Sequence, residues 1–213
     1  MLINGVEEQN LYNYDLSQDQ IIIIDEIFPE WFVEHVHHAV FDEYSWYYGH
    51  TSNYPEDNRD IGADPDWPEI ACLKQQIYPA KSNNAQDSCF RMIYNAIARL
   101  IPFEVELGEA LVNGQQYIHE TVPHKDCDCD NGISWIYYVN KHWKDSWGGP
   151  TKIQIDGCWQ DVLPKPGRVC LIKGNLLHHG CPPNKEYKGC RASLVYKTMR
   201  KIPLPARPGW NNV

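Results

Sequence analysis

The segment "PHKDCDCD" sets His124 two residues ahead of Asp126. A histidine and an aspartate at this spacing are either two ligands of one metal ion or two polar residues of a solvated acidic loop. Such pairs are common on surfaces, so the pair alone decides little. Its weight comes from "GNLLHHG" further along, where His178 or His179 follows a buried apolar run and a Gly-Asn turn. Two imidazoles and one carboxylate can hold a divalent iron by one face and leave three positions for a bidentate substrate and dioxygen. Arg191, in "CRASLVYK", adds a permanently charged planar fork suited to a distal carboxylate. The tract from Asp126 to His178 accommodates about four short strands and their turns, so a closed barrel can bring the second histidine back to the first two ligands.

The elements that must position these residues are legible in outline. "QIIIIDEIF" predicts a buried strand, and "PEWFVEHVHHAVFDEYSW" a helix with Pro29 in its first turn and Trp31, Val36, Val40 and Phe41 recurring at roughly helical spacing. "TSNYPEDNRDIGADPDWPE" is turn-rich and polar, hence a loop. "DSCFRMIYNAIARLIP" predicts a second helix with Phe90, Ile93, Ile97 and Ile101 on one side. After Pro102 the texture changes to short runs, "EVELGEALVN", "GQQYI", "GISWIYYVN", "TKIQI", "WQDVL", "RVCLIK" and "RASLVYKT", punctuated by turn chemistry such as "WGGP", "DG" and "KPG". This spacing implies an antiparallel sandwich or barrel with helices packed on it.

A chain of 213 residues suits one domain. Its expected parts are a strand-helix support region over 1–102, a β core over 103–200 and a Pro-rich tail over 201–213. A hydrophobic content of 43% argues against large disordered regions. The net charge of −9 argues against general phosphate-backbone binding. From Pro182 onward, however, seven basic residues face one acid, leaving that segment at +6 and the rest at −15. Such a segment suits a small anionic ligand or forms a basic surface face. The start carries no basic-then-apolar leader pattern, and the longest aliphatic run, "IIIID", is too short to span a bilayer. These features predict a soluble, cytoplasmic protein whose eight cysteines are reduced thiols.

Together, "HKD", "IYYVNKHWKDSWGG", "PKPGRVCLIKGNLLHHG" and "RASLVYK" resemble the Fe(II)/2-oxoglutarate dioxygenases of the prolyl 4-hydroxylase-like branch, from about Asn113 to Thr198. "NGQQY" shortly before HxD is similar to small single-domain members common in phages and aquatic bacteria, which would place the protein in a host cytoplasm. The resemblance implies a mainly β fold with packed helices, built on a double-stranded β-helix, the jelly-roll or cupin-like barrel. It implies that His124, Asp126 and His178 hold Fe(II) and that Arg191 pairs with the C5 carboxylate of 2-oxoglutarate. Ser193, two residues along the same strand, adds a hydroxyl on the same side. Tyr138 matches a position whose hydroxyl reaches that carboxylate, and Gln115 and Tyr117 lie on the strand before the HxD loop, with polar contacts to the C1 end. The implied chemistry is oxidative decarboxylation of 2-oxoglutarate to succinate and carbon dioxide, using O2 and hydroxylating a substrate C–H bond. Ascorbate is a possible accessory reductant.

Several residues carry competing readings. The "LLH" pattern favours His178 over His179 as ligand. Cys127 and Cys129 read as part of an acidic, flexible lid rather than a zinc site, because CxC lacks the usual structural spacing. His35, His37 and His38 read as surface or interhelical residues, since only His35 and His38 share a helix face. "EYSWYYGHTSNY" is either a substrate-enclosing loop or core packing, and Trp143 and Trp147 flank a tight glycine turn. The substrate read first is a prolyl residue of a protein or peptide; a small molecule or free amino acid is the alternative, and a non-catalytic metal- or 2-oxoglutarate-binding barrel the rival from another class. No nucleic-acid or membrane partner is expected, and the protein is expected to be a monomer or weak homodimer.

Overall fold

Short β-branched and aromatic runs separated by Gly- and Pro-bearing turns fold here as antiparallel strands. The computed structural model describes residues 21–50, 72–78, 88–119 and 121–201. In chain order its elements are β1 (Ile22–Ile24), α1 (Glu30–His38), β2 (Tyr47–His50), β3 (Cys72–Tyr78), α2 (Ser88–Leu100), β4 (Val105–Gln115) and β5 (Gly132–Tyr138). These are followed by β6 (Thr151–Ile155), β7 (Cys158–Val162), β8 (Val169–Lys173), β9 (His178–Gly180) and β10 (Arg191–Arg200). A seven-stranded sheet in the order β1-β8-β5-β10-β4-β3-β2 faces a three-stranded sheet, β7-β6-β9. The expected jelly-roll with helices packed on it is borne out.

The centre of the large sheet, β8-β5-β10, is buried on both faces, and alternation along its strands divides its residues between two cores. Trp135 and Tyr137 of β5, Val169 and Leu171 of β8, and Leu194 and Tyr196 of β10 join a cluster with the helices. Ile136, Tyr138, Cys170, Ile172 and Val195 point the other way, toward the small sheet, where they meet Ile153 and Val162. Polar residues on this inner face therefore stand out, because a polar group is retained between two sheets only where it has hydrogen-bond partners.

The helices close the outer face. Phe90, Ile93 and Ile97 of α2 and Ile101 just past its end are all buried, as their spacing predicts, and Tyr196 donates from its hydroxyl to Phe90 O at 2.6 Å, tying the helix to β10. On α1, Phe32, Val33 and Val36 face inward, and the chain continues as one π-helical turn over 39–43 that also buries Ala39 and Val40. Trp31, expected on the packed side, is 65% exposed, because the inward stripe runs through 32, 33 and 36 and leaves position 31 rotated away.

Two departures concern the N-terminal half. Tyr47–His50 pairs with β3, so part of the expected aromatic loop is an edge strand, and Trp46 packs over Gly114 of β4. "CLKQQIY" forms β3 although its polar content hides it: it pairs with β4, and the buried Gln75 donates to Val40 O. The polar loop over 51–69 and the Pro-rich tail lie outside the described residues. No described helix is long and apolar enough to cross a membrane.

Ile97 is fully enclosed between α2 and the large sheet. Ile97→Ala is expected to cost about 2–5 kcal/mol, read as a lower urea midpoint with an unchanged m value.

Candidate functional site

The HxD segment is fastened to the second histidine by backbone before any side chain is considered. His124 and His178 form an antiparallel bridge, each N–H donating to the other's carbonyl at 2.9 Å. Asp126 N–H donates to Gly174 O at 2.8 Å and Cys127 N–H to the same oxygen at 3.1 Å. One donor atom from each of His124, Asp126 and His178 falls within a cluster no wider than 4.8 Å. His124 Nε2 lies 3.8 Å from Asp126 Oδ1, and His178 Nε2 lies 3.4 Å from Asp126 Oδ2.

Both rings are oriented for ligation. His124 Nδ1 donates to Val122 O at 3.0 Å and His178 Nδ1 to Leu176 O at 2.9 Å, which directs each Nε2 lone pair into the cluster. Two imidazole nitrogens and one carboxylate fit a non-haem Fe(II) centre with open positions. Among the described residues no other group of three ligating side chains is gathered in this way.

Burial and neighbouring charge set the protonation states. Burial lowers the His124 pKa to about 4, reinforced by the adjacent His178. His178 moves the other way: burial opposes its proton, but the hydrogen bond and charge of Asp126 outweigh it and raise the pKa above 6.5. The Asp126 carboxyl is pushed up by burial, yet His178, Lys197 and His124 hold it well below the usual carboxylate range. Ser134 Oγ donates to Asp126 Oδ2 at 2.5 Å, and Lys197 Nζ lies 3.2 Å from Oδ1.

Further along the inner face of β10, Arg191 is a cation 1% exposed to solvent. Nε donates to Gly149 O at 2.7 Å, Nη1 to Gln115 Oε1 at 2.8 Å and to Ser193 Oγ at 3.4 Å, and Nη2 to Thr151 Oγ1 at 2.9 Å. All four partners are neutral. Among the described residues no carboxylate forms an ion pair with it, so burial lowers its pKa without a compensating anion. Tyr138 OH lies 2.8 Å from Thr151 Oγ1, and its ring sits 5.5 Å from the Arg191 guanidinium carbon. Gly149 has φ 69°, and a Cβ there would meet Arg191 Cδ and Trp143 at 3.2 Å, so the "WGGP" glycine lets a carbonyl reach Arg191. Trp143 and Trp147 are thus packing around this turn, with Tyr187 4.9 Å and 4.4 Å from their rings.

The structure therefore gathers His124, Asp126 and His178 at one end and Arg191, Ser193, Tyr138 and Gln115 at the other. Gln115 ends β4 and contacts Arg191 and Gly180 O. Tyr117 departs from the expectation: it lies in the turn after β4, 52% exposed, with Lys188 Nζ 5.8 Å from its ring. His179 points away from the cluster toward Trp159, at 5.4 Å. The CxC loop is tied down rather than free, its Cys127 thiol lodged against Gly132 and Gly174, with burial helping to push that thiol up to about 11. His38 pairs with Asp42 at 2.7 Å on the surface, whereas His37 is half-buried with its ring 4.6 Å from Phe41. Thr151 and Ser134 were missed, since a lone hydroxyl in a strand carries no sequence signal; only the β5–β10 register brings Ser134 opposite Lys197.

Residues 112–196 match the family model of the 2OG-Fe(II) oxygenase superfamily. The resemblance to that superfamily drawn from the sequence is borne out over these residues. The chain's fold is similar to three solved structures, all below 20% identity. One is a prolyl hydroxylase from Trichoplax adhaerens in complex with a hypoxia inducible factor oxygen degradation domain peptide, at 12% identity over 86% of this chain and 85% of that one, with a TM-score of 0.63. A Pseudomonas putida prolyl-4-hydroxylase matches at 18% identity, 88% and 96% coverage and a TM-score of 0.55. An oxidoreductase of the 2OG-Fe(II) oxygenase family from Burkholderia pseudomallei matches at 11% identity, 97% and 98% coverage and a TM-score of 0.64. No curated protein matches the sequence. The family match covers the strands bearing Tyr138, Arg191 and Ser193 and the segments bearing His124, Asp126 and His178.

A metal ion taken up by the His124–Asp126–His178 cluster would bind neutral imidazoles, so protons compete with it. Because Asp126 keeps His178 protonated above pH 6.5 while His124 stays neutral down to about 4, Mn(II) affinity should weaken by about tenfold per pH unit below the His178 pKa. Titration calorimetry between pH 5 and 8 reads this directly, and a flat profile contradicts it.

Proposed function

We propose that this protein is an Fe(II)- and 2-oxoglutarate-dependent dioxygenase that hydroxylates a C–H bond, with a prolyl residue of a peptide or protein as its substrate. The observation that carries the reading is Arg191, a buried cation whose described partners are all neutral. A fully buried charge is costly unless an anion meets it. A carboxylate entering between Arg191 and the His-Asp-His cluster supplies that anion, and a dicarboxylate spans both ends.

In this reading His124 Nε2, one oxygen of Asp126 and His178 Nε2 hold the iron. The guanidinium of Arg191 takes the far carboxylate, with Ser193, Tyr138 and Thr151 supplying hydroxyls around it. Gln115 orients the guanidinium from the side by accepting from Nη1 while its own amide donates to Gly180 O at 2.6 Å. Ile136, Val195 and Leu176 of the inner core keep water out between the two ends. Bound iron and 2-oxoglutarate supply the oxidative decarboxylation to succinate and carbon dioxide that drives the hydroxylation. The chain's own work is to hold the facial ligands and fix the distance to the substrate C–H bond. Likeness to folds that act on prolyl residues makes proline-containing peptides the first substrates to assay.

The test is anaerobic binding of Fe(II) and 2-oxoglutarate, then oxygen exposure and assay of succinate with and without peptides. Metal and 2-oxoglutarate binding with succinate formation supports the reading; metal binding without either favours a non-catalytic barrel. Asp126→Ala should abolish metal binding and succinate formation while the protein stays folded by circular dichroism. Arg191→Ala should weaken 2-oxoglutarate binding by about 10- to 150-fold, the loss of a charge-assisted fork worth about 1.5–3 kcal/mol. An unchanged affinity would place the far carboxylate elsewhere.

A further inference from the structure

Asp126 is held at both of its oxygens by residues that the iron-site reading does not use. Ser134 Oγ donates to Oδ2 at 2.5 Å and Lys197 Nζ reaches Oδ1 at 3.2 Å. Lys197 is itself held, 3.1 Å from Glu109 Oε2, and Glu109 Oε1 lies 3.7 Å from Lys74 Nζ. This arrangement follows from sheet register. Glu109 of β4 opposes Lys197 of β10, which opposes Ser134 of β5, so the three side chains form one row across three strands on the barrel's inner face. Just past that row the β4–β10 register shifts, Leu107 rather than Gly108 opposing Thr198. A bulge of this kind raises the local twist and re-aims the side chains beside it.

A long side chain such as lysine gives up much rotamer freedom when it is fixed between two acceptors, and an exposed ion pair returns little for that loss. Lys197 and Glu109 are not fully exposed, and the carboxylate they serve is only 4% exposed. Glu109 offsets part of the Lys197 charge, so the lysine is held in place beside Asp126 rather than left as a lone cation. Each Asp126 oxygen already accepts one bond, so two-oxygen chelation would have to compete with the Lys197 and the Ser134 bonds for the orientation of the carboxylate.

We propose that Lys197, braced by Glu109, is a positioning residue that with Ser134 restricts Asp126 to ligation through one oxygen, and so keeps free the metal position that 2-oxoglutarate occupies. The proposal rests on the iron-site reading above. Its distinguishing consequence is that loss of Lys197 changes the metal's coordination and, through it, 2-oxoglutarate affinity, although Lys197 lies well along β10 from Arg191 and does not touch its guanidinium partners.

The test uses Co(II) under anaerobic conditions with the full chain and its Lys197→Met, Lys197→Arg and Glu109→Gln variants, reading visible absorption and 2-oxoglutarate binding by calorimetry. Lys197→Met should shift the Co(II) bands, weaken Co(II) affinity by about 10- to 100-fold, the range for removing an outer partner of a metal ligand, and weaken 2-oxoglutarate binding with it. Lys197→Arg should restore the wild-type bands, and Glu109→Gln should shift them in the same direction by a smaller amount. Wild-type bands and wild-type 2-oxoglutarate affinity in Lys197→Met overturn the proposal. Should Lys197→Met fail to fold by circular dichroism, unchanged bands in Glu109→Gln overturn it instead. Failure of the wild-type protein itself to take up Co(II) would overturn the iron-site reading first, a separate outcome.

Discussion

The site depends on β10 being buried on both faces and paired on both edges. Between β4 and β5, its helix-facing residues Ala192, Leu194 and Tyr196 seal the outer core. Its barrel-facing residues Arg191, Ser193, Val195 and Lys197 run as a line from the buried guanidinium to the carboxylate of Asp126. A register slip of one residue would exchange the two sets, putting two cations into an apolar helix interface and three apolar side chains into the site. Stability and function therefore select the same register, and the ladder that holds the fold also measures the distance between the two ends of the site.

The triad is fixed by a different device. Asp126 lies outside regular strands, yet its N–H and that of Cys127 converge on Gly174 O, and His124 is bridged to His178 through backbone. Second bonds from the imidazole Nδ1 atoms to Val122 O and Leu176 O hold the rings. Side chains positioned in this way need little rearrangement to receive a metal ion, which is the form of preorganisation that the proposed chemistry requires.

Much of this could be read from residue types and order. HxD, the later histidine and the arginine announce themselves because charged and ligating residues stand out against apolar strands, and α2 follows from Phe90, Ile93, Ile97 and Ile101. What stayed hidden depends on register. Nothing in "SWIYY" marks Ser134 as Asp126's partner, nor in "TKIQI" Thr151 as the link between Arg191 and Tyr138, until the strands are paired. Tyr117 misled for a local reason: β4 ends at Gln115, so alternation stops before the tyrosine and its ring turns outward. β3 stays hidden because Gln75 is buried with its amide donating to Val40 O and Lys74 reaches Glu109, which defeats a pattern sought through hydrophobicity.

The most direct test of the account is a crystal structure of the protein grown anaerobically with Mn(II) and 2-oxoglutarate, with the metal located by anomalous scattering. The account predicts one metal bound by His124 Nε2, a single oxygen of Asp126 and His178 Nε2, with a carboxylate of 2-oxoglutarate on the Arg191 guanidinium. A metal held by other residues, or an Arg191 still surrounded only by neutral groups, would contradict it.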